Sequence, residues 1–130
     1  MQNARQLITA ALATALIGTA AWAGEKSAYP VTVYSTSREA FGSLGSTRDT
    51  ADTFQKLGCQ VNTSSTGSTS VYCYAQSASA VGACLSSSAA LVEAVRSIQG
   101  DSYLYFSWDA SGNCTNINVT HGSQYAPKQP

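Results

Sequence analysis

Four cysteines limit the folds open to this chain more than any other feature. Cys59, Cys73, Cys84 and Cys114 stand 14, 11 and 30 residues apart. In an exported chain an even set of cysteines forms disulfides, and residues 1–23 read as an export signal. Arg5 supplies the positive start, Leu7 to Ala21 is apolar and small, and Ala21-Trp22-Ala23 fits the cleavage rule. The apolar run is too short, and too rich in Ala and Thr, for a membrane span. Removing 23 of the 130 residues leaves 107, which suits one domain, 24–130, destined for the periplasm or the outside of the cell. Zinc sites usually bring two ligands within a few residues of each other. These gaps do not, so the expectation is two disulfides and no metal or other cofactor.

Two pairings compete. Cys59 and Cys73 lie symmetrically about Thr66, next to Gly67, as cross-strand neighbours of a hairpin would. That leaves Cys84 with Cys114. Cys73 and Cys84 are equally symmetric about Ser79, which would leave Cys59 with Cys114. The first pairing, Cys59–Cys73 with Cys84–Cys114, is favoured, and the second stays open.

The chain also looks written twice. Val31, Val33 and Tyr34 precede Val71, Cys73 and Tyr74 by 40 residues, and Ala40-Phe41-Gly42 precedes Ala80-Val81-Gly82 by the same interval. Phe54 and Leu57 sit 41 residues before Val95 and Ile98. Alternating apolar and polar residues predict strands over Val31–Thr36, Ala40–Leu44, Cys59–Thr63, Val71–Gln76, Ala80–Leu85, Tyr103–Trp108 and Cys114–Thr120. Ser46 or Thr47 caps a first predicted helix with Ala51, Phe54 and Leu57 on its buried stripe, stopped by Gly58. Ser86 to Ser88 caps a second, with Leu91, Val92, Val95 and Ile98 inward. The order ββαβ, ββαβ, β predicts an α+β domain. Its expected form is a mostly antiparallel seven-stranded sheet with two helices on one face, built from a pseudo-duplicated ββαβ unit. The tail from His121 to Pro130 is expected to fray.

Sorting strand residues by alternation divides them into two faces. Val31, Val33, Cys59, Val61, Val71, Cys73, Leu104, Phe106, Trp108, Ile117 and Val119 form a core face. The opposite face gathers Tyr34, Asn62, Tyr72, Tyr74, Tyr103, Tyr105, Asn116 and Asn118, an uncharged aromatic and amide surface. Such surfaces bind sugars by ring stacking and proteins by amphipathic contact, although Tyr and Asn also populate ordinary solvated strands.

Catalytic signals are sparse. The single histidine, His121, has Ser123 nearby but no carboxylate to orient it, and it reads as a surface residue. Asp49 and Asp52 share a predicted helix face with basic neighbours, which accounts for them without a two-carboxylate mechanism. After signal removal 6 basic residues face 7 acidic ones, so no basic patch addresses nucleic acid or an anionic membrane.

The run from Gly42-Ser-Leu-Gly-Ser-Thr-Arg48 through Leu57-Gly-Cys59, Tyr72-Cys73-Tyr74-Ala75 and Asp101-Ser-Tyr103 to Trp108-Asp-Ala-Ser-Gly-Asn-Cys114-Thr resembles an uncharacterised family of small exported bacterial proteins. The resemblance spans most of Ala40 to Thr120 and implies a bacterial exported domain whose pattern includes the four cysteines. It carries over no functional residue. The sequence therefore points to a non-catalytic binding module working through the Tyr/Asn face on an exported protein or a surface glycan. The alternative is an inhibitor of a secreted hydrolase, acting through the loop Asn62–Ser70 or Asp109–Asn113.

Overall fold

The computed structural model describes residues 24–127; the predicted signal segment 1–23 lies outside the described residues. The elements run β1 (Thr32–Tyr34), β2 (Glu39–Ser43), α1 (Leu44–Arg48), β3 (Lys56–Thr63), β4 (Thr69–Gln76), β5 (Val81–Ser86), α2 (Ala89–Arg96), β6 (Tyr103–Trp108) and β7 (Cys114–Thr120). The fold is α+β, and every strand pairing is antiparallel. The strands make two sheets rather than the expected single seven-stranded one: β1-β2-β6-β7 and β3-β4-β5. Each ββαβ unit keeps its hairpin and gives its last strand away. β3 leaves the first unit to pair with β4, and β6 leaves the second to pair with β2. β6 joins the second strand of one hairpin while β3 joins the first strand of the other, so the pairing does not repeat with two-fold symmetry. Both helices do not lie on one sheet either: α1 contacts β2 and β3, while α2 packs against β3, β4 and β7.

The inner faces follow the period-two pattern. Val33, Ala40, Leu104, Phe106 and Ile117 come from the larger sheet, and Leu57, Val71, Cys73, Ala75 and Cys84 from the smaller. Helix α2 covers them with Val92 and Val95, while Leu91, Ala94 and Ile98 pack at the margin. Trp108 reaches across to β5, where its ring lies against Gly82 closely enough that a Cβ would collide with it. That approach needs a glycine. A bulge between Ser107 and Trp108 shifts the register of β6 on β7. It makes both Cys114 and Ile117 face inward although they are three residues apart.

The first helix is shorter and earlier than the sequence predicts. Ser43 caps it, its hydroxyl accepting from the Ser46 N–H at 3.2 Å, and it ends at Arg48. Local side-chain bonds then take the backbone out of the helix. Thr50 Oγ1 donates to the Thr47 carbonyl at 2.9 Å, and Asp52 Oδ1 accepts from the Phe54 and Gln55 N–H groups at 3.1 and 2.9 Å. Phe54 is consequently exposed and Leu57 joins β3, as does Gly58, the expected helix stop. Ala51 is exposed as well.

The tail through Pro127 does not fray. Ser27 N–H donates to the Gln124 carbonyl at 2.9 Å, and Tyr125 stacks on Tyr103 with ring centroids 5.4 Å apart. Ala126 lies against Gly45, leaving no room there for a Cβ. His121 Nδ1 lies 3.1 Å from the hydroxyl of buried Ser102, which also accepts the Gln99 N–H at 2.8 Å. Aromatic packing and these bonds fix a segment whose composition alone reads as loose.

Gly82→Val should lower unfolding free energy by about 1 to 3 kcal/mol, because the added side chain displaces the Trp108 ring from between the sheets. Urea unfolding followed by fluorescence checks it, and an unchanged midpoint would contradict the contact.

Candidate functional site

The eight residues expected on one face are divided between two. Tyr34, Tyr103, Tyr105, Asn116 and Asn118 lie on the outer side of the four-stranded sheet, by its register. Asn62, Tyr72 and Tyr74 lie on the outer side of the three-stranded sheet. The cause is the exchange of β3 and β6 between the units, which sends the two tyrosine groups to different sheets.

The two surfaces differ in what surrounds their aromatic rings. On the larger sheet the rings pack on one another. Phe41 stacks on Tyr105 at 6.5 Å with planes 18° apart, and Tyr103 stacks on Tyr125 at 5.4 Å with planes 20° apart. Tyr29 meets both Tyr103 and Tyr125 edge-on, at 5.4 and 5.8 Å. The Tyr105 hydroxyl donates to Glu39 Oε2 at 3.1 Å, and Ser37 donates to the other oxygen. These contacts hold the leader and tail against the sheet and half-bury Tyr103 and Tyr105, while Tyr34 and Tyr29 stay 52 and 40% exposed.

On the smaller sheet the apolar groups stand open. Tyr72, Tyr74, Val81 and Leu85 are 38, 36, 67 and 53% exposed. Tyr72 pairs across the strands with Leu85, Tyr74 with Ala83 and Gln76 with Val81. On the β3 side the Tyr74 ring lies over Gly58, where a Cβ would come within 3.0 Å of its hydroxyl. Val81 and Leu85 complete this patch beside the tyrosines expected there. The signal was present in β5: Gly82 and Cys84 point inward, so alternation sends Val81 and Leu85 outward. The patch has one cation at its edge, Lys56 opposite Gln76.

Tyr74 and Lys56 also border a groove of about 620 Å³ between α1, the segment Asp49–Gln55 and β3. Arg48 and Lys56 line it, and neither meets a carboxylate among the described residues, where Glu93–Arg96 is the one ion pair. Asp52 is on the same wall with its oxygens engaged. The Gln55 backbone N–H holds its carboxyl below the usual carboxylate range, against a smaller opposing effect of burial, and the Gln55 amide and Phe54 N–H add to the lowering. A carboxylate held this way is a turn-former rather than a proton donor near neutral pH.

The His121–Ser102 pair differs from the His121–Ser123 neighbourhood considered from sequence. Ser102 is fully buried and His121 makes no hydrogen bond to a carboxylate among the described residues. The serine is therefore not presented to a substrate, and the pair ties the start of the tail to the turn after α2. Asp109 orders the other predicted loop. Its carboxylate accepts from the Asn113 side chain at 2.9 Å and from the backbone N–H groups of Ser111 and Asn113 at 2.8 and 2.9 Å. The Asn113 side-chain bond, followed by the backbone bonds, keeps its pKa low.

Burial raises the Tyr103 phenol above the ordinary tyrosine range, and its neighbours Tyr125, Tyr29 and Tyr105 add to the rise. A raised folded-state pKa means that the fold holds this proton more tightly than the unfolded chain does. Stability is complete below the ordinary tyrosine range and falls as pH climbs toward the Tyr103 value. Tyr103→Phe should remove that part of the alkaline loss. Urea unfolding between about pH 9 and 11.5 tests it, and an identical alkaline slope in the variant would refute it.

Comparison with protein-family models, curated proteins and solved structures finds no match for this chain.

Proposed function

We propose that this chain is a non-catalytic binding module whose contact surface is the outer face of the three-stranded sheet, and that its partner is another exported protein. The observation that carries this reading is the cluster of four exposed apolar side chains, Tyr72, Tyr74, Val81 and Leu85, on one side of β4 and β5. An apolar patch left uncovered on a small domain is a common mark of a docking surface. Tyrosines beside aliphatic groups, with polar Gln60 and Asn62 on the adjoining strand and a single lysine at the rim, match the core-and-rim composition of protein interfaces. Val81 and Leu85 offer a sugar neither a ring face nor a hydrogen bond, which favours a protein over a glycan. The two disulfides agree with an oxidising compartment. No helix among the described residues is long and apolar enough to cross a membrane.

The test is capture from envelope extract by the immobilised, oxidised chain, followed by titration of the captured protein. Tyr72→Ala and Leu85→Ala should each weaken binding by about tenfold or more, with an unchanged near-ultraviolet dichroism spectrum. Tyr34→Ala, on the other sheet, should leave it unchanged. Loss with Tyr34→Ala alone would move the site to the larger sheet. Retention by insoluble cell-wall polysaccharide, competed by soluble sugar, would replace the protein partner with a glycan. Undiminished binding by both patch variants would overturn the proposal.

A further inference from the structure

The cysteines form a connected row rather than two separate cross-links. Cys59, Cys73 and Cys84 are directly opposite one another on β3, β4 and β5, in a single lateral line on the inner face of the smaller sheet. Cys114, at the start of β7 in the larger sheet, closes the row. Cys59 bonds Cys73, and Cys84 bonds Cys114. The sulfurs of Cys73, Cys84 and Cys114 all lie within 4.8 Å of one another. Cys73 is therefore flanked by a possible partner on each side, and moving its bond from Cys59 to Cys84 needs no change of strand register.

The two bonds also do different jobs. Cys59–Cys73 links two strands already paired along eight residues. Cys84–Cys114 joins the two sheets and is the one covalent tie between them apart from the chain itself. Cys73, Cys84 and Cys114 are buried, whereas Cys59 is partly accessible at the edge strand β3. A thiol from solvent therefore meets the row at Cys59.

We propose that the row is a disulfide relay, through which attack by a small thiol at the edge strand releases the bond between the two sheets. The external thiolate attacks Cys59 Sγ, forms a mixed disulfide there and displaces Cys73 as a thiolate. Cys73 Sγ then attacks Cys84 Sγ. The Cys73–Cys84 bond forms, the Cys84–Cys114 bond breaks, and Cys114 leaves as a thiolate that takes a proton from water. Two disulfides and one thiol enter, and two disulfides and one thiol remain, so exchange needs no oxidant beyond the bonds themselves. Burial disfavours the Cys73 thiolate. Its fixed position beside the second bond compensates by making the attack intramolecular. The product keeps β3-β4-β5 intact and frees the sheets to separate where Trp108 sits against Gly82.

The experiment treats the oxidised, signal-free chain with reduced glutathione at mildly alkaline pH, quenches it with N-ethylmaleimide and maps the peptides. The expected early species carries glutathione on Cys59, a Cys73–Cys84 bond and alkylation at Cys114, accompanied by a red shift of Trp108 emission. Alkylation of Cys73 with Cys84–Cys114 still intact, and no Cys73–Cys84 peptide at any time, would overturn the relay. Cys59→Ser gives a second reading without external thiol. The relay predicts that its one free thiol is shared between Cys73 and Cys114, whereas labelling confined to Cys73 would refute it. If that variant does not fold, the wild-type time course decides alone.

Discussion

The closing of two sheets on each other rests on the place where β5 meets the junction of β6 and β7. Three features coincide there. Gly82 leaves room for the Trp108 ring, the bulge after Ser107 rotates Cys114 inward, and Cys84 bonds it. Without the bulge, strict alternation from Ile117 would turn Cys114 toward solvent and leave Cys84 without its partner. A three-stranded sheet needs its apolar face covered to be stable. It gains that stability by burying Val71, Cys73 and Ala75 against the larger sheet and α2. At about 25 cal/mol per Å² of apolar surface, burial between the sheets is the main favourable contribution, and each disulfide adds roughly 2 to 4 kcal/mol by restricting the unfolded chain.

The same arrangement places the two sets of tyrosines in different surroundings. On the larger sheet Tyr105 stacks on Phe41 and Tyr103 on Tyr125, with Tyr29 edge-on, and these contacts hold the leader and tail to the surface, while Tyr34 stays open. The tyrosines on β4 stack on each other at 6.0 Å beside the aliphatic groups of β5, and Tyr74 lies over Gly58 of β3. A ring whose area is consumed inside the chain contributes to stability, and a ring left open remains available to a partner. Residue type alone does not separate these cases, since both sets alternate with buried residues in strands of similar composition.

Local chemistry decided where the sequence was easy or hard to read. Val33, Leu104, Phe106 and Ile117 announced themselves through period-two alternation, and all are buried. Leu91, Val92 and Val95 did the same at helical spacing, because α2 has no internal side-chain competitor for its backbone. The segment Asp49–Gln55 has a helical pattern of apolar residues but also Thr50 and Asp52, whose oxygens capture nearby backbone groups. Short-range hydrogen bonding outweighed periodicity there, and Phe54 ended at the surface. The tail is hard to read for the opposite reason. Its polar composition hid the long-range contacts of Tyr125 and His121, which have no counterpart in any local pattern.

The sequence by itself determined the seven strands, the second helix and most of their inward residues, since those follow from alternation, helical spacing and turn chemistry within a few residues. It also limited the cysteine partners to two sensible pairings, because symmetric positions about a turn face each other across a hairpin. Only the tertiary structure decided which strands share a sheet. That choice depends on burying both inner faces at once, and the strand that each ββαβ unit exports is not marked by any residue within it. Dividing the tyrosines between two sheets, and bringing three sulfurs within reach of one another, are consequences of that exchange. They arise from contacts between residues far apart in the chain, where no periodicity reaches.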